Sequence, residues 1–237
     1  VIRLATERRL VCYVGECQSY GTNTSYLVWQ SIWRSFFNLD PAWELQDQIR
    51  ELASQLELVD PSLVQRLPLL GAVVKLSIPD NDLTRSFDAK LRKTSLESLL
   101  VACLRTRAKI TPLLLVLDDC HWLDPLSLEL LEVIGRTIFD LPVLIAMAYR
   151  PLHLEPLKDA QVRKLVYFKE LQLTDFTERE AERLISLKLK QFFGTQAEVP
   201  PILLERITAR SQGNPFYIEE LLNYLQDQNF DPNETET

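Results

Sequence analysis

The stretch Leu113–Ile134, LLLVLDDCHWLDPLSLELLEVI, decides how this chain reads. Leu113 to Leu117 is apolar at every position, which suits a strand covered by helices on both faces, in the middle of a parallel sheet. It runs straight into two carboxylates, Asp118 and Asp119. Asp124-Pro125 then opens a helix, with aspartate as N-cap and proline at the first helical position, where a missing N–H costs nothing. Leu130, Leu131 and Ile134 fall on one face of that helix. Ligands of open parallel sheets bind beyond the carboxyl ends of the strands, and the two acids stand at such an end.

Working outward, RRLVCYVGECQSYG reads as a strand from Leu10 to about Cys17 that ends in a loop. In TSYLVWQSIWRSFF, the residues Tyr26, Trp29, Ile32, Trp33 and Phe36 recur at helical steps. Asn38 to Asp82 mixes helical pieces with breaks at Pro41, Pro61, Pro68 and Pro79, as a helical insertion would. Thr94 and Glu97 have the spacing of a capping box ahead of Leu96, Leu99, Leu100, Cys103 and Leu104. Downstream, LPVLIAMAYRP is a second buried strand, and KLVYFKELQL (164–173) alternates like a third, nearer an edge. Thr177 and Glu180 cap a further helix, and Asn214-Pro215 starts a last one with an Ile218, Leu221, Leu222, Leu225 stripe. Strands alternating with helices predict an α/β, doubly wound domain followed by a small helical lid. The polar end QDQNFDPNETET is expected to fray.

Of 237 residues, 46% are hydrophobic, enough for a sizeable core. The net charge of −7 and the absence of a Lys/Arg run argue against direct nucleic-acid binding. No stretch approaches the ~20 apolar residues of a membrane span, so no membrane partner is expected. Charges at Arg3, Glu7, Arg8 and Arg9 exclude a signal peptide, and Val1 at the start points to a piece of a longer protein. Cys12, Cys17, Cys103 and Cys120 make no CxxC pair, which suits a reducing cytoplasm. A zinc site from Cys17, Cys120, His121 and His153 has no support from spacing.

An apolar strand ending in Asp-Asp has the form of a Walker-B element, in which one acid holds Mg²⁺ through water and the next polarises the attacking water. Neighbouring strand residues point to opposite sides, which gives Asp118 the metal and Asp119 the water. A strand that merely ends at the surface accounts for the same pair. The companion P-loop, GxxxxGK[ST], is absent. GECQSYGTNTS has one residue too many between Gly15 and Gly21 and no lysine.

LLLVLDDCHWLDPLSLELL closely resembles the hhhhDDxHWxDxxSLxLL signature of STAND-class P-loop ATPases, relatives of the AAA proteins. The best likeness is to regulatory modules of bacterial class III adenylate/guanylate cyclases, LuxR-type regulators and kinase fusions. GECQSYGTNTSYLVW, LIAMAYRP and SQGNPFYIEELL resemble that family's second strand, sensor-1 strand and GNPF lid motif, in the same order. The resemblance implies sheet order 5-1-4-3-2 with the first strand and P-loop missing here, and VIRLATERRL as the end of the helix after the P-loop. It implies a truncated core over 1–173 with the helical insertion at about 24–108, a lid over 174–228 and a tail over 229–237.

The site residues it implies are Asp119 and Arg150 in catalysis, Asp118 for Mg²⁺, and Asn214 and Pro215 beside ATP, where the N-terminus of a helix offers N–H groups. A plain helix cap explains Asn214-Pro215 equally well. The implied activity is that of an ATP-binding and ATP-hydrolysing switch, its partners being a linked cyclase, kinase or DNA-binding output domain and helical repeats. Two other readings stand beside it: a scaffold that binds no nucleotide, and a metal-dependent hydrolase using Asp118, Asp119, His121 and Asp124.

Overall fold

The computed structural model describes residues 1–22, 24–150, 157–193 and 201–228, which divide into two compact units, Val1–Phe168 and Lys169–Thr237. His153 and the end of the polar tail lie outside the described residues. No described helix is long and apolar enough to cross a membrane.

In the first unit, β1 (Val11–Glu16), β2 (Leu113–Asp118) and β3 (Val143–Met147) form one parallel sheet in the order β1-β2-β3. The register pairs Val11 with Leu113 and Leu113 with Val143. The unbroken apolar run makes β2 the central strand, with Leu113, Leu114, Leu115 and Leu117 all buried. LPVLIAMAYRP does form a strand, but not a buried one: β3 is an outer strand, half-buried along its length with Leu144 exposed. A short helix, α1 (Ile2–Glu7), precedes β1.

The link from β1 to β2 is mostly helical, with no strand among its described residues. It contains α2 (Leu27–Phe36), α3 (Leu45–Val59), a 3₁₀ stretch at Pro61–Leu70, α4 (Gly71–Val74), α5 (Asp82–Arg85) and α6 (Ala89–Ile110). The stripe on α2 is fully buried at Trp29, Ile32, Trp33 and Phe36, and burying each such side chain contributes about 1.5–3 kcal/mol. Gly15 allows α2 to lie close on β1, because a Cβ there would sit 2.1 Å from the Val28 carbonyl oxygen. That packing accounts for a glycine that a phosphate cradle would otherwise claim.

The Thr94–Glu97 capping box is not one. Asp88 caps α6 by accepting a 2.7 Å hydrogen bond from the Leu91 amide, so the helix starts six residues earlier. Thr94 lies inside it, its hydroxyl donating to the Lys90 carbonyl at 3.2 Å. Glu97 pairs instead with Lys93 at 3.2 Å, and Lys93 also reaches Glu129 at 2.5 Å on α7 (Pro125–Thr137). The Glu129 hydrogen bond is the main reason that the Lys93 ammonium titrates above its usual range.

KLVYFKELQL is not a strand. Gln161–Lys164 is a 3₁₀ turn and the rest is irregular up to α8 (Glu178–Phe193). Alternation specifies a side-chain pattern, whereas a strand also needs a hydrogen-bonded neighbour. Among the described residues no segment pairs with this one, and Val166, Leu171 and Leu173 are 97%, 86% and 93% exposed.

The second unit packs α8, α9 (Pro201–Ser211) and α10 (Pro215–Asp227) around Ala181, Ile185, Leu189, Ile207, Ile218 and Leu222. Thr177 and Glu180 make the expected box: the Thr177 amide donates to Glu180 Oε2 at 2.9 Å, and the Glu180 amide to Thr177 Oγ1 at 3.4 Å. Hydrogen bonds from Thr177, its backbone N–H first, hold the Glu180 carboxyl below the usual carboxylate range.

Candidate functional site

The carboxyl end of the sheet gathers the acids. β2 ends at Asp118, which is exposed and whose register partner on β1 is Glu16, also exposed. In-register residues of parallel neighbours share a sheet face, so Glu16 and Asp118 present two like charges side by side. Sequence reasoning passed over Glu16; its only signal was its place as the last residue of a strand ending in a loop. Asp118 Oδ1 accepts a 2.9 Å hydrogen bond from the Asp119 amide, and Oδ2 has no partner among the described residues. An exposed carboxylate oxygen of this kind fits Mg²⁺, which keeps most of its waters and needs only one or two protein acids.

Asp119 is separated from Asp118 by a different route from strand alternation. It has left the strand and adopts a left-handed conformation, φ 51° and ψ 38°. Aspartate tolerates this region better than most residues, and such outliers collect at functional sites. The bend starts the 3₁₀ turn Cys120–Trp122. Asp119 Oδ1 ends 3.8 Å from His121 Nδ1, beyond hydrogen-bond range, while the buried His121 ring packs on Trp122 with centroids 4.2 Å apart. Arg150 lies three residues past β3 and is exposed.

Asp124 is committed elsewhere. Only 3% exposed, its carboxylate accepts from the Ser127 amide at 3.0 Å, the Ser127 hydroxyl at 2.5 Å and, across 98 residues, the Tyr26 amide at 3.2 Å. It is the N-cap of α7 and a clip to the start of α2, and Trp29 Nε1 adds a 3.1 Å bond to the Ser127 carbonyl. This removes the fourth ligand that a metal-dependent hydrolase would have needed. Among the described residues, no group of three or more His, Cys, Asp or Glu side chains is placed to hold a metal ion by itself.

In the second unit Gly213 has φ +80°, and a Cβ there would meet the Phe176 carbonyl oxygen at 2.2 Å. Glycine is therefore required both for the turn and for the close approach. Asn214 caps α10, its Oδ1 accepting from the Phe216 amide at 3.0 Å and the Tyr217 amide at 3.4 Å. Pro215 has no amide to give, so on this geometry Asn214 and Pro215 serve the helix they begin.

A 175-residue part of the chain, 73% of it, is 26% identical to an uncharacterized protein of Rhizobium meliloti (strain 1021). The matched part covers 16% of that protein's length. No protein-family model matches the chain, and no solved structure matches it.

Proposed function

We propose that this chain is part of an ATP-binding and ATP-hydrolysing switch module of the P-loop type within a larger signalling protein, with a nucleotide cyclase as the linked output. The observation that carries the reading is the acid pair at the carboxyl end of the central parallel strand, Asp118 at its last position and Asp119 turned away by a left-handed bend. The resemblance of the surrounding motifs to STAND-class ATPases supports it. So does a relative in which the matched stretch is only 16% of the length.

In this reading Asp118 would hold Mg²⁺ through water, and the bound ion would supply positive charge against the phosphates. Asp119 would accept a hydrogen bond from the attacking water and orient it, and Arg150, exposed just past β3, would face the developing negative charge. This reading requires a phosphate cradle, and no GxxxxGK[ST] segment occurs in these 237 residues to supply one. A scaffold that binds no nucleotide is the second reading, favoured by the exposed aromatic side chains Phe216, Tyr217 and Tyr224 on α10.

Calorimetric titration with Mg-ATP tests the assignment. The 237-residue chain should bind no tighter than about 1 mM, roughly −4 kcal/mol, because two acids repel a polyanion in the absence of a cradle. A longer parent chain carrying a GxxxxGK[ST] segment should bind at micromolar concentration. In that parent, Asp119→Asn should preserve binding and lower hydrolysis by about 10²–10⁴. Unchanged turnover in the variant would remove Asp119 from the chemistry, and micromolar binding by the short chain would overturn the missing-cradle reading.

A further inference from the structure

We propose that Cys17 and Cys120 form a reversible disulfide that fastens the carboxyl ends of β1 and β2 together beside Asp118 and Asp119. The proposal does not depend on nucleotide binding. Cys17 extends the β1–β2 ladder by one residue, its amide donating to the Asp118 carbonyl at 3.0 Å. Cys120 lies two residues past β2, held by a 2.9 Å bond from its amide to the Ala148 carbonyl and by its thiol donating to the Leu117 carbonyl at 3.3 Å. The Cys17 side chain interacts with the Cys120 thiol and, together with burial, holds it above its usual range. Cys17 directly follows the Glu16–Asp118 register pair on a strand about 4.8 Å from β2, so Cys120 lies one residue beyond the position facing it, and a disulfide requires a Cα separation of roughly 4.4–6.8 Å. The other two cysteines are placed differently: Cys12 bonds the Leu10 carbonyl, and Cys103 is buried in α6, where burial pushes its thiol up to about 12.

The chemistry needs an oxidant, and a small hydroperoxide suits a pair that is 3% and 0% exposed. The Cys17 sulfur, two residues before the exposed turn Ser19–Tyr20, attacks the peroxide. The O–O bond breaks, a sulfenic acid forms, and the leaving oxygen departs as water or alcohol with the Cys17 proton. The Cys120 sulfur then displaces the hydroxyl, so that the S–S bond forms, the S–O bond breaks and water leaves with the Cys120 proton. Two thiols lose two electrons and two protons, and the peroxide is reduced. Cys120 gives up its bond to the Leu117 carbonyl and moves toward β1. Asp119, the left-handed residue immediately before it, must follow, so the state of the thiols resets the position of one of the two site carboxylates.

The experiment exposes the purified chain to graded hydrogen peroxide, blocks remaining thiols with N-ethylmaleimide and maps peptides without reduction. The expected product is a chain lighter by two hydrogens, with one Cys17–Cys120 link that dithiothreitol reverses. Closing a loop of roughly 100 residues restricts the unfolded chain, so the melting temperature should rise by several degrees on oxidation. In Cys17→Ala the rise should vanish and Cys120 should stay reduced. The idea is overturned if Cys17 proceeds to sulfinic acid, if the link forms to Cys12 or Cys103, or if both thiols remain free at peroxide that fully oxidises Cys12. The wild-type peptide map decides even if the variant does not fold.

Discussion

Two helices of this protein begin with the same device and live in different surroundings. At α7 the sequence is Asp124-Pro125, at α10 Asn214-Pro215, and in both the first residue caps the helix through its side chain while proline occupies the first turn. Among the described residues the Asn214 side chain accepts only from the Phe216 and Tyr217 amides, and it is half-buried. Asp124 is sealed from solvent and in addition holds the Tyr26 amide, far away in sequence. The lesson is that a capping signature fixes a local geometry and leaves its energetic weight undetermined. That weight depends on what the fold brings to the remaining lone pairs.

The largest effect expected is therefore at Asp124. Asp124→Ala removes a cap worth about 1 kcal/mol. It also leaves the buried Tyr26 amide and Ser127 hydroxyl without an acceptor, a further ~1–3 kcal/mol. Together these should lower the melting temperature of the first unit by about 10 °C, read by calorimetry. Asp124→Asn keeps Oδ1 as an acceptor and should recover most of the loss. If alanine costs no more at 124 than at 214, the long-range bond to Tyr26 carries no weight and the comparison collapses.

Next in size is Gly213→Ala, at the residue just before the second cap. The added Cβ meets a backbone oxygen rather than a flexible side chain, and φ +80° disfavours alanine as well, so about 2 kcal/mol should be lost. Hydrogen exchange at the α8 and α10 amides would register it as faster opening of the second unit alone. Protection unchanged in that unit would mean that Phe176 yields easily and that the close approach is unimportant.

The smallest effect is that of Asn214→Ala, about 1 kcal/mol, because the two amides it releases can turn to water. Urea denaturation monitored at α10 should move its midpoint slightly and leave the first unit untouched. A loss as large as that of Asp124→Ala would show that α10 is buried against something beyond its own unit's core.

The same distinction between local and distant causes separates what could be read from the sequence from what could not. Thr177 and Glu180 were legible as a capping box because both partners lie within one turn. Thr94 and Glu97 matched the same spacing and misled, since residues three apart are also neighbours in mid-helix; the earlier cap at Asp88 and the ion pair to Lys93 took over. The alternation of KLVYFKELQL described side chains faithfully, but it could not report whether another strand stood alongside.

By itself the sequence determined the central strand, the acids at its end, the buried stripe of α2 and the caps of α7, α8 and α10. Each follows from composition or from bonds that close within about four residues. Only the tertiary structure decided that Asp119 turns out of the strand, that Glu16 stands beside Asp118, that Asp124 reaches Tyr26, and that Cys17 and Cys120 follow the ends of neighbouring strands. These pairings join residues up to 103 positions apart, and the parallel register of β1 and β2 is what brings the strand-end acids and thiols together. No pattern within a single segment encodes its neighbour, because register is a property of two chains of backbone and not of one.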